Sequence, residues 1–559
     1  MPIDKKDGEP SIDSRRQFLK TGVAGAAAAA LFPQALAAQA TEHQAPKHAA
    51  TTHEHHVAAF ELEEVSLETL RKGMESGKYS ARGLTEKYLE RIREVDPHVH
   101  AVIEVNPDAV KLAEELDRER KAKGPRGPLH GIPILIKDNI ATADRMQTTA
   151  GSLALVGSRP PKDSHVAAQL RTAGALILGK TNLSEWANFR STRSTSGWSG
   201  RGGQTNMPYA LDRNPSGSSS GSGAAASANL CAIAIGTETD GSIVSPSCSS
   251  GLVGIKPTVG LVSRAGIVPI SKSQDTAGPM ARSVADAAAL LSAIAGIDAN
   301  DPATNGALGH IAMDYTKFLD AGGLRGARVG IVRKLAGYDP HVDKLLDEAI
   351  DAMKKAGAEV IDPAEMPTIG KFDEAENTVL QYEFKDGLNQ YLAWLGANAK
   401  VHSLQEIIAF NKAHAAEEMP YFDQEIMTQS EARGPLSDEK YQKALEDCRR
   451  LSRTEGIDAT MDKLKLDTLV APTGNAAWPT DLINGDHFTG SASTPAAVAG
   501  YPHITVPMGF LWGLPVGISF FGRAWSEPTL IKLAFAYEQM THHRRPPRLL
   551  RTVDLRAQV

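Results

Sequence analysis

Short apolar runs recur along the chain at residues 132–136, 175–178, 231–235, 329–332, 468–470, 504–506 and 516–521. They are close to continuous rather than alternating with polar residues, the pattern of strands covered on both faces. Between them, apolar residues fall at helical spacing. Leu84, Tyr88, Leu89 and Ile92 predict a helix over residues 80–95. Val342, Leu345, Leu346, Ala349 and Met353 predict another, with Gly357 as its stop, and Ser66 opens a third. The alternation predicts an α/β class: a large mixed, mostly parallel sheet covered by helices. Residues 375–453 break the pattern with long, polar-rich helical stretches and few strand signals, and are expected to form a helical insertion.

The first 37 residues read as a targeting segment. Ser14-Arg15-Arg16-Gln17-Phe18-Leu19-Lys20 precedes a weakly apolar stretch at 21–32, and Ala35-Leu36-Ala37 offers small residues for cleavage. The paired arginines resemble a twin-arginine (Tat) signal, an address read by the export machinery. That predicts a periplasmic or secreted location. The apolar stretch is short of the ~20 residues a membrane span needs, and Pro33 interrupts it, so no membrane span is expected. Residues 38–59 hold five histidines, His43, His48, His53, His55 and His56, among Ala, Thr and Pro. They lack the fixed spacing of a structural metal site and read as a flexible linker. The folded body is expected over 60–545, with 546–559 as a tail.

Composition is that of an ordinary globular chain, 42% hydrophobic and 23% charged, with net charge −6. That mild balance argues against a nucleic-acid partner. Three cysteines, Cys231, Cys248 and Cys448, are too few for a disulfide framework and are expected to be free, mostly buried thiols.

Three stretches carry candidate chemistry. In Gly131-Ile132-Pro133-Ile134-Leu135-Ile136-Lys137-Asp138 a lysine ends a buried strand. Burial disfavours the ammonium form and would make Lys137 a usable base. A strand-end lysine that reaches water or pairs with Asp138 is the alternative. Gly217-Ser218-Ser219-Ser220-Gly221-Ser222-Gly223 has the composition of a linker. It runs directly into the apolar stretch 224–230, so it belongs to the fold, and its glycines let backbone lie close to a ligand. In Gly236-Thr237-Glu238-Thr239-Asp240-Gly241-Ser242-Ile243-Val244 a strand gives way to a tight turn ending in serine. Successive N–H groups of such a turn can hold an anion while the serine attacks. Taken singly, each Gly/Ser stretch also fits an ordinary surface turn.

Together these stretches resemble the amidase signature family of serine hydrolases. Gly179-Lys180-Thr181-Asn182, Gly251-Leu252-Val253-Gly254-Ile255-Lys256-Pro257-Thr258 and Asp275-Thr276-Ala277-Gly278-Pro279-Met280-Ala281-Arg282 belong to the same likeness, which runs from about Leu62 to Arg545. The resemblance implies the amidase signature fold, with a single catalytic domain and the insertion near its substrate entrance. It implies a Ser–Ser–Lys triad: Ser242 as nucleophile, Ser218 as bridging serine after a cis Gly217–Ser218 bond, and Lys137 as base. The backbone N–H groups of Thr239, Asp240, Gly241 and Ser242 would form the oxyanion hole. No cofactor or metal is implied. The expected activity is hydrolysis of the C–N bond of linear amides through an acyl-serine.

Departures narrow and blur the likeness. The common family pattern Gly-Gly-Ser-Ile-Arg is here Asp240-Gly241-Ser242-Ile243-Val244, which sets a carboxylate beside the oxyanion site. Ser247-Cys248-Ser249-Ser250 departs as well. The nucleophile motif and the tail, including Pro495-Ala496-Ala497-Val498-Ala499-Gly500-Tyr501-Pro502, resemble the bacterial peptide amidases, which remove the C-terminal amide of peptides. Aryl-acylamidases, the amidase component of a tRNA-dependent amidotransferase, and a periplasmic amide-binding protein on the same scaffold are the alternatives. The expected partner is a small-molecule or peptide amide, and the expected state a monomer or homodimer. His487, His503, His542 and His543 are expected on loops or the surface, and Met313, Tyr382 and Trp394 in packing.

Overall fold

The structure, a computed structural model, describes His55 and residues 57–555. The targeting segment 1–37 lies outside the described residues, as does the linker except for His55 and residues 57–59. Eleven strands form one sheet: β1 Val102–Val105, β2 Pro133–Lys137, β3 Leu176–Thr181, β4 Ile233–Glu238, β5 Val253–Lys256, β6 Thr276–Ala281, β7 Arg328–Ile331, β8 Glu359–Ile361, β9 Thr468–Pro472, β10 His503–Leu511 and β11 Leu514–Phe521. Their order across the sheet is β1-β3-β2-β4-β6-β5-β10-β11-β9-β7-β8.

The α/β class and the large mixed, helix-covered sheet are as expected, and each of the seven apolar runs forms a strand. The balance of directions differs. Four of the ten pairings are parallel, β2 with β3 and β4, and β7 with β8 and β9. The other six are antiparallel. A continuous apolar run reports cover on both faces, and here helices cover antiparallel strands as completely as parallel ones. Every residue of β4, β5, β6, β9 and β11 is buried.

The helices follow their sequence signals. Ser80 caps Ala81–Val99 by accepting from the Gly83 N–H, and Leu84, Tyr88 and Ile92 are buried on its inner face. Asp339 caps Pro340–Lys355, which buries the five predicted apolar positions. Gly357 follows that helix with φ +92°, a conformation glycine adopts freely.

From Asp373 to Leu464 the regular elements are helical, beginning with the 23-residue helix Asp373–Leu395. A buried ion cluster fixes part of this stretch to the core. Arg190 donates to Glu185 and to the carbonyls of Glu418 and Phe422, and its guanidinium lies 4.2 Å from the Phe422 ring centre. Burial pushes the Glu185 carboxyl well above the usual range, and Arg190 opposes that shift.

The three cysteines are free and buried. His503, expected on a loop or the surface, is fully buried in β10, where burial and Lys256 lower its pKa to about 3. Met313, expected in packing, is exposed. Among the described residues no helix is long and apolar enough to cross a membrane.

Removing Arg190 would leave the buried Glu185 and Glu418 carboxyls without their cation, a loss of about 3–5 kcal/mol. Arg190→Met is expected to lower the melting temperature clearly. Arg450→Met, at an exposed pair with Asp447 and Glu455, is expected to leave it unchanged. Thermal unfolding of the two variants checks this.

Candidate active site

The register of two parallel strands builds the centre of the site. Ile136 in β2 pairs with Ile235 in β4, so the two strands end side by side, with Lys137 reaching the Thr237 region. Carboxyl ends of parallel strands are where open α/β sheets place their ligands. Lys137 is fully buried. Its Nζ donates to Ser218 Oγ at 2.8 Å, to Thr237 Oγ1 at 3.0 Å and to Thr237 O at 3.3 Å. Burial lowers its pKa from 10.5 to about 7, against the attraction of Asp275 and Glu238. No ion pair is formed with Asp138, whose carboxylate instead accepts from Thr149 and Gly151 and faces Arg201.

The Ser/Gly run is packed and fully engaged. Ser219 Oγ donates to Thr237 O at 3.0 Å, Ser220 Oγ to Ser216 O at 2.6 Å and Ser222 Oγ to Ile235 O at 2.9 Å. The Ser218 carbonyl accepts from Ser184 N–H at 3.0 Å. Helix Ser220–Ser227 begins inside the run and lies backbone-to-backbone on its neighbours. A Cβ at Gly221 would stand 2.4 Å from Ala101 O and 2.5 Å from Asn182 O, so only glycine fits. The Gly217–Ser218 peptide is cis.

Ser242 ends the turn that follows β4 and is 8% exposed. Ser219 N–H donates to its carbonyl at 3.1 Å, which ties this turn to the Ser/Gly run. Gly241 has φ +80°, and helix Val244–Ser249 follows. Among the described residues, no acceptor takes the N–H groups of Asp240, Gly241 and Ser242. The next two N–H groups, of Ile243 and Val244, donate to Glu238 Oε2 at 2.7 and 3.0 Å. Glu238 thus anchors the turn from within.

Asp240, the residue that departs from the family pattern, has a buried Oδ1 without a hydrogen-bond partner. Burial raises its pKa, while the Ser493 and Thr494 hydroxyls pull it down. Glu376, from helix Asp373–Leu395, is pushed well above the usual range by burial and then by Asp240. The acid beside the turn therefore carries less charge than its composition suggests.

A cavity of about 690 Å³ opens beside the site. It reaches Thr237, Glu238 and Thr239 and is walled on the other side by Tyr391 and Trp394, while Lys137, Ser218 and Ser242 do not line it. Asn139, also on its wall, donates to Thr237 Oγ1 at 2.9 Å and leaves its own Oδ1 unpartnered. The structure thus joins Lys137 to Ser218 directly, and Ser242 to the Ser/Gly run through the backbone. Thr237, Asn139, Gln274 and Glu376 were missed by sequence analysis. Thr237 and Asn139 stand in or next to the quoted motifs, whereas Glu376 carries no local signal. Among the described residues no group of three or more His, Cys, Asp or Glu side chains is placed to hold a metal ion.

A sequence profile described as Amidase matches residues 83–531. The chain belongs to the amidase signature family. A "Probable amidase" of Arabidopsis thaliana is 44% identical, over 88% of this chain and 93% of its own. The solved native peptide amidase of Stenotrophomonas maltophilia is 53% identical with a TM-score of 0.83, over 88% of this chain and all of the other. A "Putative amidase" of Arthroderma benhamiae is 40% identical, over 88% of this chain and 84% of its own. This amidase is therefore an amide-hydrolysing enzyme with the large mixed sheet of its solved relatives.

In this amidase the buried lysine has a measurable cost. Folded Lys137 releases its proton near pH 7, whereas in the unfolded chain it does so near 10.4. Between those values the unfolded state binds the extra proton, so this group makes stability rise with pH, by up to about 1.4 kcal/mol per pH unit. Below pH 7 the charged amine is buried and the penalty is complete. Lys137→Met removes the group. Denaturant unfolding of both proteins at pH 7 and pH 9 is expected to show wild type gaining on the variant at the higher pH.

Proposed function

We propose that this amidase hydrolyses linear carboxamides through an acyl-Ser242 intermediate, with Ser218 as proton bridge and Lys137 as base. It removes the C-terminal amide of peptides. The observation that carries the reading is the buried Lys137 Nζ, 2.8 Å from Ser218 Oγ. A neutral amine has two N–H groups and one lone pair. With the N–H groups given to Thr237 O and Thr237 Oγ1, the lone pair faces the Ser218 hydroxyl.

Lys137 takes the Ser218 proton as Ser218 takes that of Ser242, and Ser242 Oγ attacks the amide carbon. The N–H groups of Thr239, Asp240, Gly241 and Ser242 receive the developing oxyanion. Collapse of the tetrahedral intermediate breaks the C–N bond. The proton returns through Ser218 to the leaving nitrogen, which departs as ammonia. Water then repeats the attack on the ester and yields the free acid. Support for peptides as substrates comes from the 53% identical peptide amidase, matched over its whole length.

Ser242→Ala and Lys137→Ala are each expected to lower kcat by about 10³-fold or more on peptide amides. In wild type, kcat/KM should rise with pH through an inflection near 7, where Lys137 becomes neutral. Ammonia release from peptide amides, aryl anilides and aliphatic amides checks the substrate. Anilides cleaved far faster than peptide amides would favour an aryl-acylamidase.

Residues 1–37 are proposed to export the folded enzyme by the twin-arginine route. Replacing Arg15 and Arg16 together by lysine is expected to retain the enzyme in the cytoplasm, as read by cell fractionation.

A further inference from the structure

The oxyanion turn is held from behind by side chains that lie outside the catalytic set. Gln274 precedes β6, and the antiparallel register that pairs Thr276 with Glu238 sets residues 274 and 275 against Thr239. Both grip that residue. Asp275 accepts from Thr239 Oγ1 at 2.5 Å and is itself fixed by the N–H groups of Ile270 and Ser271 at 2.9 Å each. Gln274 Nε2 donates to the Thr239 carbonyl at 3.3 Å and to Glu376 Oε1 at 2.8 Å. Gln274 and Glu376 are both buried. A carbonyl can only accept, so it is the nitrogen end of the Gln274 amide that must face Thr239.

The Thr239 carbonyl and the Asp240 N–H belong to one planar peptide, and in a trans peptide they point in opposite directions. Fixing the carbonyl toward Gln274 therefore aims the Asp240 N–H the other way, and donation to the carbonyl makes that N–H a stronger donor. The N–H in question has no acceptor among the described residues. We infer that Gln274, seated by Glu376, is a positioning residue that aims the Asp240 N–H at the oxyanion. Glu376 comes from helix Asp373–Leu395, so the helical stretch takes part in catalysis without touching the reacting atoms. This rests on the assignment of residues 239–242 as the oxyanion hole.

The test separates transition-state from ground-state binding. A peptide aldehyde adds Ser242 and places an oxyanion-like oxygen in the hole, and the matching peptide alcohol does not. Gln274→Leu is expected to lower kcat about 10- to 100-fold with KM within threefold, a part of the loss that follows deletion of a whole donor. The same variant should weaken the aldehyde by a similar factor and leave the alcohol unchanged. Glu376→Leu should lower kcat less, and Glu376→Gln, which keeps the acceptor, should restore most of it. Should Gln274→Leu not fold, by its melting curve, the Glu376 pair with the two inhibitors decides in its place. An unchanged kcat and aldehyde affinity, or equal weakening of aldehyde and alcohol, overturns the inference. Wild-type activity in Ser242→Ala would instead overturn the catalytic reading beneath it.

Discussion

The contact between a fully buried amine and a serine hydroxyl, Lys137 Nζ to Ser218 Oγ, sets the terms for everything around it. Two carboxyl groups nearby, Asp275 and Glu238, favour the ammonium form, yet loss of hydration outweighs both and leaves the amine near pH 7. Two other lysines, Lys180 at β3 and Lys256 at β5, are equally buried and settle higher, near 8. Lys180 donates to Ile140 O and Thr148 Oγ1, and Lys256 to Pro257 O. Burial alone thus makes a lysine titrate near neutrality. Lys180 also meets a hydroxyl, that of Thr148; what sets Lys137 apart is that its hydroxyl partner, Ser218, belongs to the Ser/Gly run, which Ser219 N–H ties to the Ser242 carbonyl.

The sheet supplies that partner through its parallel core. Because β2 and β4 end together, Lys137 meets Thr237, and the loop that carries Ser218 is laced to the same strand by Ser219 and Ser222. A run of small polar residues suits this place for two reasons. Each hydroxyl satisfies a buried backbone group at little cost in volume. The glycines let one backbone approach another closely enough to make those bonds, as Gly221 does against Ala101 and Asn182. Composition suggested a linker, and the neighbouring apolar stretch suggested otherwise; the buried hydrogen bonds decide for the second.

Strands whose residues are apolar throughout were legible because cover on both faces writes itself into the sequence. The four strands that went unseen each lack that mark. β1 and β8 are short edge strands and partly exposed. β5, Val253–Lys256, has its apolar run broken by Gly254 and Lys256. β6 contains Gly278 and Pro279, and at Gly278 a Cβ would stand 2.0 Å from Ile255 O, so closeness to the next strand has removed the side chain that would have signalled a strand. Direction left no local trace, since apolarity reports cover and says nothing of the neighbour's polarity. In the site, Lys137, Ser218 and Ser242 were named from motifs that stand in the sequence. Gln274 and Glu376 depend on register and on a helix about a hundred residues away, which no local pattern records.

The acids around the turn pose a problem that the same physics resolves. A carboxylate beside the proposed oxyanion turn would oppose an anion there, and Asp240 lies in that turn while Glu376 reaches it through Gln274. Burial drives both toward the neutral acid, with Asp240 adding to the rise at Glu376 and Asp373 to that at Asp240. The amine, titrating near 7, is about half charged at neutral pH. Under the proposed mechanism, the turn offers an anion oriented N–H dipoles. Dipoles fixed by the fold need no rearrangement as charge grows, and they leave no strong ion pair to be broken when the product acid departs. Under that reading the value of the arrangement lies in how firmly each peptide is aimed, and side chains that hold the turn without facing the substrate contribute to it.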